Sequence, residues 1–352
     1  MHGPGTLTTP EPGTAEKLAF LRRPGAYAHA PPDVSVRETH MSWVFLAGDR
    51  VYKLKKPVRF PFLDFSSVAR REAACRAELA LNRRLAHDVY LDVVPLTAGS
   101  DGLAIGGDGA VVDWLVVMRR LADGGSLEQA IMSGSLTRAQ LDGLVTALTG
   151  FYRTARPVFV SPEAHLIGWR RAIALNRRIL LEPRLVLPAG LIRSIEGVQR
   201  RFLAARGHLL AARARGRHIV DGHGDLRPEH IWFDHPVRII DCLEFNASLR
   251  AVDPLDEVAF LSLECERLGG RWVADHLARH MTRALRSRSD DPLFVFYRCY
   301  RACLRARLAI AHLLEPDPRT PEKWPRLARS YLRFARDDAR RIAEALRTPS
   351  GR

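Results

Sequence analysis

Two acidic residues stand at the two ends of a short predicted hairpin, and this arrangement constrains the chain more than any other feature. Asp225, within HGDLRPEH at 223–230, comes just before an apolar run at 230–233. An Asp-His-Pro turn at 234–236 reverses the chain into 237–240, and Asp241 follows directly. Because a hairpin brings its two ends side by side, Asp225 and Asp241 are expected to lie close together. Such a pair suits a proton acceptor beside a metal ligand.

The pattern matches the parts that phosphoryl transfer from ATP requires. One Asp orients the attacking hydroxyl, another holds Mg²⁺ on the phosphates, and a cation contacts the nucleotide. The segments HGDLRPEH plus IID at 239–241, and THMSW with VYKLKK at 39–56, resemble the aminoglycoside phosphotransferase family of the protein-kinase-like superfamily. More narrowly, they resemble a bacterial group often fused to a P-loop domain. No GxxxxGK[ST] pattern occurs in this sequence, so that domain is expected to be missing.

The resemblance covers roughly residues 25–345 and implies an α+β, two-lobed protein-kinase-like fold. Its N-lobe would be a small antiparallel sheet and its C-lobe larger and mainly helical. We therefore predict a flexible tail and short helix at 1–24, the N-lobe at 25–122, the helical C-lobe with the catalytic and metal loops at 123–345, and a tail at 346–352.

Hydrophobic periodicity gives the same order of elements. Strands are predicted at 34–38, 43–46, 51–54, 93–96 and 111–118, and a hinge between the lobes near 118–125. Helices are predicted at 15–22, 66–86, 126–133, 137–154, 165–182 and 189–213, with several more beyond 255.

Lys53 lies mid-strand between apolar neighbours, where a lysine is costly to bury unless an anion pairs with it. The resemblance implies that Lys53 contacts the α- and β-phosphates and is held by a helix glutamate. We predict Glu78 as that partner, with Glu72 second. Lys55, two residues later, points to the same face of the strand and is the alternative to Lys53. The remaining interpretation is an edge strand whose lysines keep it soluble.

The connection between the first two strands is expected to cover the nucleotide, as it does in kinase-like folds. It contains no glycine, so the hydroxyls of Thr39 and Ser42 and nearby backbone N–H groups are the candidates. The resemblance also implies that the hinge backbone at Met118 and Arg119 receives the adenine.

The catalytic segment carries the predicted chemistry of transfer. Asp225 is the candidate base, or the group that orients the proton of the attacking hydroxyl. His223 is expected to brace the loop by hydrogen bonds. Arg227 stands where protein kinases carry a lysine that meets the transferred phosphate, and a guanidinium can take that part by bidentate contact. An exposed loop arginine is the other interpretation.

Asp241 is the predicted metal ligand, and His230 is the clearest departure from the family. Asparagine is the family residue at that position and binds a second Mg²⁺, whereas imidazole is a poor ligand for Mg²⁺. Either one Mg²⁺ suffices, or another side-chain oxygen replaces that of asparagine as a metal ligand. Glu244 is the first candidate for that oxygen and Glu229 is the second. The same departure leaves open a pseudokinase-like protein that binds nucleotide without transfer.

The segment Asp253-Pro254-Leu255-Asp256-Glu257 resembles the family's Asp-Pro-x-x-Asp motif at a helix start. Asp253 is expected to cap the helix and Asp256 to brace the catalytic loop. Glu257, Glu264 and Glu266 could line a substrate cleft suited to a cationic acceptor, or they could be solvated. The acceptor itself stays unidentified.

Composition limits the other function classes. The chain has 352 residues and a formal charge of +15, but its arginines are spread along the chain, so we do not expect nucleic acid as a partner. No stretch approaches the roughly 18 apolar residues that span a bilayer, and residues 1–25 lack an apolar signal core. With five cysteines, an odd number, a disulfide framework is not expected. These features predict a cytoplasmic kinase whose partners are ATP, Mg²⁺ and a small-molecule alcohol.

Overall fold

The computed structural model describes residues 12–60, 62–315, 318 and 320–347, and these residues form two compact units. Unit 1 runs to Asp123 and also includes Arg238–Ala247. Unit 2 comprises Gly124–Val237 and the chain from Ser248 onward. Most of the predicted N-terminal tail and residues 348–352 of the predicted C-terminal tail lie outside the described residues.

Strands and helices are numbered in chain order. The strands are β1 (Val34–Glu38), β2 (Ser42–Ala47), β3 (Arg50–Lys55), β4 (Arg59–Phe60), β5 (Leu63–Asp64), β6 (Tyr90–Gly99), β7 (Gly102–Ile105), β8 (Ala110–Arg119), β9 (Val220–Asp221), β10 (Ile231–Trp232), β11 (Arg238–Ile239) and β12 (Ala251–Val252). The helices are α1 (Thr14–Leu21), α2 (Val68–Ala86), α3 (Leu127–Ser133), α4 (Arg138–Thr154), α5 (Pro162–Leu180), α6 (Ala189–Arg215), α7 (Ala247–Arg250), α8 (Pro254–Arg267), α9 (Arg271–Ala284), α10 (Pro292–Ala311) and α11 (Lys323–Arg347).

Unit 1 is built on an antiparallel sheet. Among the described residues, six strands form it in the order β1-β2-β3-β8-β6-β7. The predicted three-strand meander at its start is confirmed, since β1 pairs with β2 and β2 with β3. The sequence does not predict strand β7, because its four residues, Gly102–Ile105, are followed by another glycine and carry no clear alternation. Together with the mainly helical unit 2, this sheet gives the predicted α+β fold class.

Strand β3 separates the core from the candidate site. Its residues alternate between the two faces of the sheet, as side chains on a strand do. Tyr52 and Leu54 enter an apolar cluster that also contains Phe20 and Leu21 of α1. Lys53 and Lys55 therefore point to the opposite face, where helix α2 packs over β6 and β8. Ser67 caps this helix by accepting from the Arg70 N–H at 3.3 Å.

Residues 238–247 differ from the sequence prediction, which assigned the metal loop to the helical C-lobe. In the structure this segment packs with unit 1. The reason is that its charged and backbone groups find their partners on β3, α2 and β6, as described below.

Unit 2 is mainly helical and is centred on α10, which packs against α5, α6, α8 and α11. Helix α8 is buried on every side over Pro254–Cys265. The antiparallel pair β9–β12 joins Val220 to Val252 and Asp221 to Ala251, next to the catalytic segment. Of the helices in the described part of the chain, none has the length and apolarity required to cross a membrane.

A buried ion cluster connects α1, α2 and β8 within unit 1. Asp113 accepts from Lys17 Nζ at 3.0 Å and from Arg71 Nε and Nη2 at 2.7 and 2.9 Å. All three side chains are nearly inaccessible to solvent. A buried charge is tolerated only when it is paired, so each member depends on the others.

We predict that Asp113→Asn lowers the free energy of unfolding by about 3–5 kcal/mol, because it leaves two buried cations without a counterion. Denaturant unfolding of both proteins measures the difference. Glu72→Gln is the matched control, since it breaks an exposed ion pair with Arg76 and should cost less than about 0.5 kcal/mol. Equal losses in the two variants would contradict the role of the Asp113 cluster.

Candidate active site

The Lys53–Glu78 ion pair predicted from the sequence is present in unit 1. Lys53 Nζ donates to Glu78 Oε1 at 2.8 Å and to Asp241 Oδ1 at 2.9 Å. Glu78 is fully buried, whereas the Asp241 side chain is 48% exposed. Lys53 thus lies between an interior anion and an accessible one. Its contact with a nucleotide stays a prediction.

Lys55 adds a second ammonium to the same carboxylate. Its Nζ donates to Glu78 Oε2 at 2.6 Å and to Glu244 Oε1 at 2.5 Å. Each Glu78 oxygen therefore accepts from one lysine, and three carboxylates surround two ammonium groups. From the sequence, Lys55 is only the alternative to Lys53, but in the structure both lysines donate to Glu78.

Burial and charge oppose each other in this ion-pair cluster. Burial by itself would raise the pKa of Glu78, but Lys53 and Lys55 lower it below its ordinary value. Burial would lower the pKa of Lys53, but Asp241, Glu78 and Glu244 raise it well above its ordinary value. For Glu244, burial outweighs the attraction of Lys55 and raises its pKa. Lys53 and Glu78 are therefore both charged at neutral pH.

The backbone around Asp241 is held by neutral groups of α2 and β6. The Asp241 N–H donates to the Tyr90 hydroxyl at 3.1 Å, and the Cys242 N–H donates to Asn82 Oδ1 at 2.9 Å. Asn82 in turn donates to the Glu78 carbonyl at 2.9 Å. Asp241 has a φ of 63°, a left-handed conformation that Asp tolerates better than most residues. These contacts fix the turn that presents its carboxylate.

The predicted nucleotide-covering loop is a tight turn between β1 and β2. The Thr39 hydroxyl donates to the Ser42 carbonyl at 3.0 Å and accepts from the Ser42 N–H at 3.0 Å. Ser42 is almost fully buried. Thr39 is thus already used in closing the turn, and phosphate contacts by either hydroxyl stay a prediction.

The predicted adenine-binding backbone at Met118 and Arg119 is engaged within the sheet. Met118 pairs with both Val51 and Tyr90. The Arg119 N–H donates to the Val89 carbonyl at 2.8 Å. Adenine recognition here would have to use a group other than that N–H.

Glu257 organises the catalytic segment of unit 2. Its carboxylate accepts from the His223 N–H at 3.1 Å, from the Gly224 N–H at 2.5 Å and from the Tyr152 hydroxyl at 3.0 Å. Burial raises the pKa of Glu257, and the N–H donors of Gly224 and His223 oppose that shift. The carboxylate was expected to line a cleft or to be solvated. It is instead the internal support of the loop that carries Asp225.

Two glycines allow this close approach. A Cβ on Gly222 would lie 2.7 Å from Glu257 Oε2 and 2.5 Å from Val252 Cγ2, which is closer than side-chain atoms can come. Gly224 has a φ of 88°, a backbone conformation that strongly favours glycine. The glycines around His223 therefore follow from packing and backbone geometry.

Asp225 is surrounded by the other predicted catalytic residues. Its N–H donates to His223 Nδ1 at 3.3 Å, which agrees with the bracing role expected of that ring. His230 Nδ1 lies 2.9 Å from the Asp225 carbonyl oxygen, which can only accept, so Nδ1 carries a proton. Arg227 forms an ion pair with Glu229, and its Nη1 lies 3.9 Å from Asp225 Oδ2. The roles of these residues in transfer stay predictions.

The helix start at 253–257 differs in part from the prediction. Asp253 caps α8, as expected, by accepting from the Leu255 N–H at 2.9 Å. Asp256 does not brace the catalytic loop, because it faces α10 and accepts from Arg301 Nε and Nη2 at 2.8 and 2.6 Å. Its neighbour Glu257 takes the bracing role, since the two side chains leave the helix in different directions.

Of the remaining acidic residues, Glu264 is not available to a substrate. It is fully buried and accepts from Tyr331 at 2.7 Å and from Arg267 at 2.9 Å, while Arg305 lies 3.3 Å away. Glu266 is 23% exposed and forms an ion pair with Arg298. The expectation that these carboxylates could line a cleft for a cationic acceptor is therefore wrong for Glu264, and for Glu266 it stays a prediction.

Several residues of the site were not found from sequence. Asn82 and Tyr90 bind the backbone near Asp241, and Tyr152 completes the environment of Glu257. Each lies more than 100 residues from the group it contacts. The only local signal was a polar side chain on an otherwise packed face, which is too common to identify a site.

Sequence comparison finds a relative but no established activity. No family model matches this sequence. An uncharacterized protein of Mycobacterium tuberculosis (strain ATCC 25618 / H37Rv) is 34% identical over 295 residues, which are 82% of this chain and 57% of that protein. The chain thus spans little more than half the length of the curated relatives it matches.

Two solved structures share the architecture. A choline/ethanolamine kinase family protein from Mesorhizobium loti has a TM-score of 0.51 at 18% identity, covering 95% of each chain. A choline kinase from Cryptosporidium parvum Iowa II has a TM-score of 0.53 at 9% identity, covering 94% of this chain and 96% of that one. The chain has a protein-kinase-like fold. The predicted fold class is confirmed, and at these identities the likeness concerns the fold alone.

We predict that Glu257→Ala lowers the free energy of unfolding by about 3 kcal/mol, because two buried N–H groups and a hydroxyl lose their acceptor. Hydrogen exchange should accelerate at the amides of His223 and Gly224. Glu322→Ala, at an exposed position, should change stability by less than about 0.5 kcal/mol. Unchanged exchange at the two amides in the Glu257 variant would contradict its supporting role.

Proposed function

We propose that this chain is an ATP-dependent phosphotransferase of the aminoglycoside phosphotransferase type, which moves the γ-phosphoryl group to a hydroxyl of a small molecule. The observation that carries the proposal is the Lys53–Glu78 ion pair beside the exposed carboxylate of Asp241. Such a cation, its buried counterion and a metal-binding Asp are the nucleotide-side requirements of phosphoryl transfer in protein-kinase-like folds.

Lys53 is the lysine suited to meet the phosphates. Its side chain is 15% exposed and that of Lys55 is 1% exposed, so Lys53 is the more accessible of the two lysines. Glu78 keeps that ammonium oriented from the interior. Asp241 now accepts from Lys53, and phosphate oxygens would replace it there while the carboxylate turns to the metal.

The donor set fits one Mg²⁺ better than two. Asp241 offers an exposed carboxylate, the hard oxygen donor that Mg²⁺ prefers. Glu244 is already paired with Lys55, and His230 presents ring nitrogen. When bound, Mg²⁺ would neutralise charge on the phosphates. Asp241 is the residue of this chain proposed to hold it.

Asp225 is proposed to accept or orient the proton of the attacking hydroxyl. Its carboxylate is partly exposed, and its loop is tied down by Glu257 and the His223 ring. A fixed carboxylate contributes by holding the acceptor in an attacking orientation. Arg227 lies close to the carboxylate and is the candidate contact for the transferred group.

A nucleotide-binding protein without transfer activity is the second candidate. It is favoured by His230 at the position of the family's metal-binding asparagine, with its ring bound to the Asp225 carbonyl oxygen. Both candidates require nucleotide binding, and they differ in whether phosphate leaves ATP.

We predict that wild-type protein binds ATP in a magnesium-dependent manner and that Asp241→Asn weakens Mg·ATP binding by about tenfold or more, since a metal-ligand charge is lost. Binding of ATP without metal should not weaken, because the variant removes a negative charge beside the phosphates and a competing acceptor on Lys53. Calorimetric titration with and without Mg²⁺ measures both. Asp33→Asn, at an exposed position in unit 1, is the control. Absence of any binding to wild type would overturn the proposal.

We also predict that Asp225→Asn keeps ATP affinity within about twofold but lowers phosphoryl transfer by about 10²–10⁴-fold, the contribution of a positioned base. The rate is measured as hydrolysis of ATP, or as phosphoryl transfer to acceptors found by screening. Asp275→Asn on α9, an exposed residue, should leave it unchanged. A large loss of ATP affinity in the Asp225 variant would mean that this residue serves the nucleotide instead.

A further inference from the structure

Lys55 is enclosed more completely than any role in nucleotide contact would require. Its side chain is 1% exposed, with Glu78 Oε2 at 2.6 Å, Glu244 Oε1 at 2.5 Å and the ring of Phe65 centred 4.9 Å from its Nζ. A lysine in such surroundings loses its hydration, which must be offset by close anions. The buried ammonium of Lys55 is therefore not placed to contact a phosphate.

The ion-pair partner of Lys55, Glu244, indicates what this lysine does. Glu244 lies three residues after Asp241 in a segment with little regular structure, Asp241 to Asn246. Tyr90 and Asn82 hold the backbone at Asp241 and Cys242. The ion pair holds the other end, where Phe245 also packs against the cluster of Leu63, Phe65 and Ala74. The segment is thus fixed on both sides of the turn that presents the Asp241 carboxylate.

The two lysines divide the cluster by accessibility. Lys53 pairs with the 48% exposed side chain of Asp241, and Lys55 pairs with the 10% exposed side chain of Glu244. Glu78 bridges them from the interior with one oxygen for each. An outer pair can exchange partners with a ligand, whereas an inner pair holds its place.

We propose that, at the nucleotide site proposed above, Lys55 is a positioning residue whose ion pair with Glu244 fixes the segment that presents Asp241. Glu244 is then the counterion of Lys55 and does not bind metal. This assigns a role to the second lysine of the VYKLKK motif and to the glutamate of DCLEF.

A double-mutant cycle separates this role from metal binding. Lys55→Met leaves one lysine among three carboxylates and should weaken Mg·ATP binding by about tenfold. Adding Glu244→Gln removes the unpaired charge but cannot restore the lost ion pair, so affinity should be no lower than in Lys55→Met alone. If Glu244 binds metal, its loss must weaken Mg·ATP binding further. That result overturns the proposal, as does a folded Lys55→Met protein that binds Mg·ATP like wild type.

Glu244→Gln alone gives a second readout that does not depend on the folding of Lys55→Met. The Mg²⁺ concentration for half-maximal ATP binding should change by less than about threefold if Glu244 is a counterion, because the Gln side-chain oxygen can still accept from Lys55 and keep the segment in place. A rise of about tenfold is expected of a lost metal ligand and would overturn the assignment. Lys56→Met is the matched control. Lys56 is next to Lys55 in the sequence, but its ammonium pairs with Glu38 and lies over the ring of Trp43. This variant should match wild type.

A third readout needs no nucleotide and stands even if the proposed function fails. Hydrogen exchange at the amides of residues 242–245 should accelerate by about tenfold in Lys55→Met and by about threefold in Glu244→Gln, because a fixed segment becomes free to open. Lys56→Met should leave these amides unchanged. If wild-type protein binds no ATP but exchange accelerates in these variants, the proposed kinase function is wrong and the positioning role of Lys55 stands. Unchanged exchange in Glu244→Gln would overturn that role.

Discussion

The buried carboxylate of Glu78 is the interaction on which the candidate site depends. It lies on α2, yet its two oxygens hold two lysines of β3, and those lysines in turn hold both acids of residues 241–244. Without Glu78, two ammonium groups would face the interior with only peripheral anions, a state that proteins avoid. Helix α2, strand β3 and residues 241–244 are thus held together by a single carboxylate.

Unit 2 solves a comparable problem with a different interaction. Its catalytic segment is irregular backbone next to packed helices, where unpaired N–H groups would be costly. Glu257 supplies the acceptor for two consecutive N–H groups, and Gly222 provides the room for its carboxylate. One unit therefore positions its acid by ion pairs with lysine, and the other by hydrogen bonds from the backbone.

The basic composition has a partly internal explanation. The arginines are spread along the sequence, and three of them, Arg71, Arg298 and Arg301, are buried and pair with Asp113, Asp338 and Asp256. Such pairs stabilise little by themselves, yet removing one partner is costly, so they fix which helix faces meet.

The sequence by itself determined most of the strands and helices and, through motifs that resemble a known family, the fold class and the Lys53–Glu78 pair, while the roles of Asp225 and Asp241 stay predictions. Alternation, helical periodicity and short motifs are local properties of a sequence. Lys53, Glu78 and Asp241 each lie in such a local motif. Only the tertiary structure decided that Lys55 shares Glu78, that Glu244 faces Lys55, and that Glu257, not Asp256, supports the catalytic segment. These are contacts between distant elements, and their partners depend on how side chains leave helices and strands once the core has packed.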